Sequence, residues 1–264
     1  VADATSDPIA QFQEERREFV DGYAGDAAWQ KQSIDWVTRA FGQKYMYNFD
    51  WLGRPVIQFP ADIVAYQEVV WAVKPDLIIE TGIAHGGSLV LSASLLAMLD
   101  YADAVAEGTT LDPANPKRKV LGVDIDIRDH NRAQIESHPM SSRIEMFQGS
   151  SVTDEMAAKV AEYAKGCQTV LVSLDSMHTH EHVAKELGYY APLVSPGSYC
   201  LVFDTIVEDM DDSVFPDRPW SQGDNPKTAV WEFLKENPDF EIDQDINQKL
   251  LISAVPDGWL RRKA

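Results

Sequence analysis

The sequence predicts an α/β fold: a mostly parallel sheet, an antiparallel last strand, and a helical extension at the N-terminal side. Three observations predict it. From residue 77 onward, short apolar runs alternate with amphipathic stretches. The first of these runs ends in a glycine-rich turn that leads straight into a helix. Before residue 60, aromatic residues recur at helical spacing. The chain has 264 residues, a length that suits one α/β domain with added N-terminal elements better than two separate domains. The predicted division is a helical extension and lid segment over 1–60 and a main domain over 61–264.

Taken in order, Ile9, Phe12, Phe19, Tyr23, Trp29, Ile34, Trp36, Val37 and Phe41 suit amphipathic helices broken near the glycines at 22–25. Residues 45–60 mix Trp51, Leu52, Phe59 and two prolines and read as ordered but irregular. Asp62 is placed to cap a helix over Ile63, Tyr66, Val69, Val70 and Val73, ending before Pro75. Strands follow at 77–80, 120–124, 144–147, 170–174 and 199–203. Helices are expected over 88–99, 154–165, 181–190 and 227–236, with an acidic loop at 205–222. Two final strands, near 240–242 and 250–254, are close enough in sequence to pair antiparallel.

Hydrophobic residues make up 45% of the chain, enough for a packed core. A net charge of −19 argues against nucleic acid and anionic membrane surfaces as partners. No apolar run of roughly 20 residues stands out as a membrane span, and no basic segment followed by an apolar one opens the chain. The only cysteines are Cys167 and Cys200, which suits a reducing compartment. The expectation is a soluble cytoplasmic protein.

The first strand closes in Glu80-Thr81-Gly82-Ile83-Ala84-His85-Gly86-Gly87-Ser88, where glycines let the backbone approach a ligand at a helix N-terminus. A dinucleotide fingerprint needs closer glycines and an acid roughly 20 residues on. Here the next strand-end acid is Asp124. An acid followed by Gly-x-x-x-Gly is instead the class I methyltransferase pattern, with a Rossmann-like sheet that binds S-adenosylmethionine. In that pattern Glu80 faces the ammonium end of the cofactor and Asp124 the ribose hydroxyls. Gly82, His85 and Ser88 line the turn, and Ser150, after the third strand, stands on the adenine side.

The chemically richest stretch is Leu174-Asp175-Ser176-Met177-His178-Thr179-His180-Glu181-His182. Asp175 ends the fourth strand and His178 reaches the same crevice. Asp204 ends the neighbouring fifth strand, so Asp175 and Asp204 can share a hard divalent cation such as Mg2+. His180 and His182 alternate at a helix start, where they do not share a face, and read as solvated. Methyl transfer to a hydroxyl needs that hydroxyl's proton removed. A cation beside the acceptor lowers its pKa and His178 takes the proton.

On these residues the chain resembles the cephalosporin hydroxylase and rhamnosyl O-methyltransferase family. The likeness runs from about residue 45 to 255 and is carried by Pro75-Asp76-Leu77-Ile78-Ile79-Glu80-Thr81-Gly82, His85-Gly86-Gly87-Ser88, Gly122-Val123-Asp124-Ile125-Asp126 and Leu174-Asp175-Ser176-Met177-His178. It implies an S-adenosylmethionine- and magnesium-dependent O-methyltransferase acting on a small-molecule acceptor, a hydroxyl of a sugar or glycosylated natural product. Asp175 is implied as both cofactor and metal contact, and His178 as base. Where similar sugar methyltransferases carry Glu-Asp at the end of the fifth strand, this sequence has Phe203-Asp204, which leaves Glu208 or Asp209 to complete a metal site. The family name also allows a small-molecule hydroxylase or oxygenation partner, and Phe203 a non-catalytic cofactor-binding subunit. The aromatic N-terminal helices are expected to pack between subunits of a homo-oligomer.

Overall fold

The computed structural model describes residues 7–264, so the first six residues of the predicted extension lie outside the described residues. The extension forms helices α1 (Pro8–Gly25) and α2 (Ala27–Gly42). The break falls at Asp26, whose side chain accepts the Trp29 N–H at 3.0 Å and caps α2. Residues 45–60 are more regular than expected. A 3-10 turn, Tyr45–Asn48, precedes a hairpin of β1 (Phe49–Trp51) and β2 (Arg54–Val56) joined by Leu52-Gly53. The sequence hid it because three-residue strands are too short to show alternation.

Helix α3 (Pro60–Val73) opens on a proline whose fixed φ suits the first helical position. Asp62 is therefore not the cap. It sits inside the first turn, 1% exposed, and its Oδ2 accepts the Ala254 N–H at 2.8 Å.

The main sheet comprises β3 (Leu77–Thr81), β4 (Lys119–Asp124), β5 (Ile144–Gln148), β6 (Val170–Leu174), β7 (Tyr199–Val202), β8 (Phe240–Ile242) and β9 (Trp259–Arg262), in the order β5-β4-β3-β6-β7-β9-β8. The strands β5, β4, β3, β6 and β7 run parallel, and β9 is antiparallel to β7 and β8. The antiparallel partner of β8 is thus not 250–254 but 259–262. Leu250 and Ile252 are only partly buried and pack as a covering loop after the short helix α9 (Gln244–Lys249), whereas Trp259 and Leu260 are fully buried. An apolar run alone does not distinguish a strand from such a cover.

Helices α4 (Gly87–Glu107), α5 (Asp129–Glu136), α6 (Asp154–Ala164), α7 (His180–Tyr190) and α8 (Pro226–Glu236) complete the fold. Helix α4 runs well beyond the predicted 88–99. Among the described residues it is the one helix long and apolar enough to cross a membrane, and over half of it is buried in the core. Two apolar clusters, one on each sheet face, form that core. Val37, Met46, Val56 and Phe59 of the N-terminal segment join the cluster that holds Ile78 and Leu89. Because the chain runs from β3 outward to β4 and β5, then returns to β6 on the other side, a crevice opens above the C-terminal end of β3.

Candidate active site

The turn after β3 is built on a close approach. Gly82 has φ +87°, and a Cβ placed there would lie 2.0 Å from the Asp175 carbonyl oxygen. The glycine is thus required for the end of β3 to pack on the end of β6, rather than to leave room for a ligand. Asp124, at the end of β4, ties in the same turn. It accepts the N–H of Ile83 at 2.8 Å, of Ala84 at 3.4 Å and of Asp126 at 3.0 Å. From the other side the buried Arg54 donates to the His85 carbonyl at 3.0 Å and to Asn131 Oδ1 at 3.1 Å. Asn131 in turn donates to the Ala84 carbonyl at 2.9 Å.

Above this turn lies a cavity of about 740 Å³. Of the residues singled out in the sequence, Gly82, His85, Ser88, Asp175, His178 and Asp204 line it. Glu80 lies one layer behind, 2% exposed, holding the Ser88 hydroxyl, with Ser92 Oγ at 3.5 Å and Tyr66 beyond it. Burial raises the Glu80 carboxyl to about 7 against the opposing pull of the two serines. Asp124 lies beside the cavity. Ser150 stands in the turn after β5, where its carbonyl accepts the Thr153 hydroxyl at 3.2 Å.

The centre of the site is the group Asp175, His178 and Asp204, whose donor atoms all fall within 4.8 Å of one another. They meet because β6 and β7 are adjacent and parallel, so their ends share one edge of the crevice. His178 Nε2 lies 3.1 Å from Asp204 Oδ2, and its ring meets Trp220 edge to face at 4.7 Å. Burial holds the Asp175 carboxyl well above the ordinary range, reinforced by the charges of Asp204, Glu80 and Glu186 and opposed by the Gln58 side chain. The two carboxylates suit a hard divalent cation that completes its shell with water, and the imidazole stands beside them as a proton acceptor.

Phe203 is 4% exposed and packs in the core while also facing the cavity. Neither loop acid takes its place. Glu208 accepts from the Gly223 N–H at 2.8 Å and from Asn225 at 2.5 Å, and Asp209 pairs with Lys227 at 2.6 Å. A buried acid that lines the same cavity is Asp62, raised to about 7 chiefly by burial, against the pull of Ser253 and Ala254 and with the charge of Asp204 adding to the shift.

His180 and His182 are only partly exposed, because α7 packs against α8 and the loops after β5 and β6. His180 Nδ1 is 2.8 Å from Thr228 Oγ1 and its Nε2 is 3.2 Å from Glu232. His182 Nε2 is 3.0 Å from Ser176 Oγ, 3.2 Å from Ser151 Oγ and 3.4 Å from the buried Glu186. Ser176 also donates to Glu186 at 2.7 Å, which pins the residue after Asp175.

Sequence reasoning missed Gln58, Asp62, Arg54, Asn131 and Trp220. Only Trp220, an aromatic in the acidic loop at 205–222, carried a signal. Phe41 of α2 touches Phe59 at 5.7 Å and Phe215 at 5.9 Å between ring centroids, so the N-terminal segment and the 205–222 loop meet at the cavity.

The comparisons agree with this architecture. Rhamnosyl O-methyltransferase of Mycobacterium bovis (strain BCG / Pasteur 1173P2) is 26% identical over 236 residues, covering 86% of each chain. The protein of the same name from Mycobacterium leprae (strain TN) is 26% identical over 235 residues, covering 87% of this chain and 92% of its own. A solved structure described as cmcI-D160 Mg-SAM shares the fold with a TM-score of 0.53 at 18% identity, over 83% of this chain and 78% of that one. With the model described as Rhamnosyl O-methyltransferase/CmcI matching residues 43–263, this class I methyltransferase fold belongs to the rhamnosyl O-methyltransferase/CmcI family.

Proposed function

We propose that the protein transfers the methyl group of S-adenosylmethionine to a hydroxyl oxygen of a sugar or glycosylated natural product, assisted by a divalent cation. The observation that carries this reading is the convergence of Asp175, His178 and Asp204 on one cavity above the Gly82 turn. The names of the relatives support the class of acceptor, and the description of the solved neighbour supports the cofactor and magnesium.

The cofactor supplies an electrophilic methyl and the cation, held by Asp175 and Asp204, lowers the pKa of the acceptor hydroxyl. His178 takes the hydroxyl proton on a ring nitrogen, and the edge of Trp220 keeps the ring from swinging out. Asp124 and the turn it organises hold the cofactor ribose, Ser88, held from behind by the buried Glu80, faces its amino-acid end, and Ser150 stands at the adenine side. Tyr47, Phe215 and Trp220 give the acceptor apolar faces to lie on. The unpaired Cys167 and Cys200 fit a cytoplasmic setting, and exposed Ile9, Phe12 and Phe19 on α1 fit a homo-oligomer.

The test separates metal from base. Asp175→Ala and Asp204→Ala lose turnover together with metal dependence. His178→Ala keeps S-adenosylhomocysteine and Mg2+ affinity, loses about 10² to 10⁴ in rate, and recovers in part at high pH. Full activity in chelator refutes the role of the metal, and an unimpaired His178→Ala enzyme refutes the base.

A further inference from the structure

We infer that Asp62 is a further member of the cation site, holding a water bound to the cation that Asp175 and Asp204 ligate. The inference rests on the metal half of the function proposed above. Asp175 and Asp204 offer few donors for a hard cation that takes six or more oxygen ligands, so water must supply the rest. Cation-bound waters are strong hydrogen-bond donors and require acceptors around them. On the wall formed by Phe203 a phenyl ring offers none.

Asp62 supplies one. It reaches the same cavity from the first turn of α3, is 1% exposed, and its Oδ1 makes no hydrogen bond of regular geometry, the Ser253 hydroxyl beside the carboxyl offsetting its burial only in part. Its other oxygen is fixed by the Ala254 N–H at 2.8 Å, which orients the carboxylate. No lysine or arginine forms an ion pair with it among the described residues. A buried carboxylate with an oxygen left short of a well-formed hydrogen bond and no cationic partner costs stability unless a ligand satisfies it. Asp62 lies outside the set of atoms within 4.8 Å of one another, so it acts through water rather than as a direct ligand.

Asp62→Asn tests this role, since asparagine keeps an oxygen to accept from Ala254 while removing the charge and replacing the acceptor Oδ1 by an NH2 donor that cannot accept from a cation-bound water. The probe is Mn2+, titrated by calorimetry and by its paramagnetic resonance signal into the full chain. Asp62→Asn is expected to bind Mn2+ 10- to 100-fold more weakly while the metal-free protein melts at the same temperature or higher. A merely structural Asp62 gives the opposite pattern, lower metal-free stability with unchanged Mn2+ affinity, and that result overturns the inference. Phe203→Glu is the second variant: a carboxylate placed next to Asp204 binds Mn2+ at least tenfold more tightly, and unchanged affinity counts against a cation in this cavity. If the wild-type protein binds no Mn2+, the metal reading itself fails. If wild type binds and Asp62→Asn binds equally, only the role of Asp62 fails.

Discussion

Replacing Gly82 by alanine tests whether the ends of β3 and β6 must touch for the site to exist. The added Cβ would sit 2.0 Å from the Asp175 carbonyl oxygen, 2.6 Å from its carbon and 3.0 Å from the Ser176 Cα. All three are backbone atoms, so no rotamer change relieves the contact, and the strand end that carries Asp175 has to move. The φ of +87° adds strain of about 1–2 kcal/mol for an L-residue, and overpacking adds about 1–3 kcal/mol. The sum is about 2–5 kcal/mol. Gly197 is the control, because its φ is +80° but nothing lies within 4 Å of a Cβ there, leaving only the strain of about 1–2 kcal/mol. Urea denaturation gives both losses, and calorimetry with S-adenosylhomocysteine and Mg2+ shows whether the site survives. The expected result is that Gly82→Ala loses more stability than Gly197→Ala and that ligand binding weakens only in Gly82→Ala. Equal stability with unchanged binding would refute the reasoning.

Three other outcomes are expected. Asp124→Ala frees the N–H groups of Ile83 and Ala84 and so weakens S-adenosylhomocysteine binding by calorimetry, with no gain of NAD binding. Glu80 contributes a pH dependence: its carboxyl is raised from 4.5 to about 7, so the folded state binds more protons than the unfolded one and stability falls as pH rises across that interval. The loss is roughly 3 kcal/mol, complete above pH 7, and melting curves of Glu80→Gln should lack that component. Ile9, Phe12 and Phe19 are 65%, 58% and 62% exposed on α1, so sedimentation at micromolar concentration should show an oligomer, and a strict monomer would rule out helices packed between subunits.

The parts of the fold that were legible in the sequence are those whose burial is one-sided in chemistry. The strand at 170–174 was read to the residue because all five side chains are buried and a turn bounds it. The strand at 259–262 was missed because it ends in Arg261 and Arg262, while the apolar 250–254 run imitates a strand. Asp175, His178 and Asp204 were legible because strand ends point into one crevice whatever the loops do. Asp62 was not: an acid near a helix start reads as a cap, and only packing against Ala254 reveals its burial. His182 read as solvated because its partners, Ser151 and Glu186, lie on other elements or one turn away.

The most direct measurement of the central claim is a crystal structure grown with S-adenosylhomocysteine and Mn2+, with the ion located by its anomalous scattering. The account predicts one strong peak between the carboxylates of Asp175 and Asp204, beside His178, with the cofactor lying over the Gly82 turn and its ribose towards Asp124. A peak elsewhere, or none in the presence of bound cofactor, would contradict it.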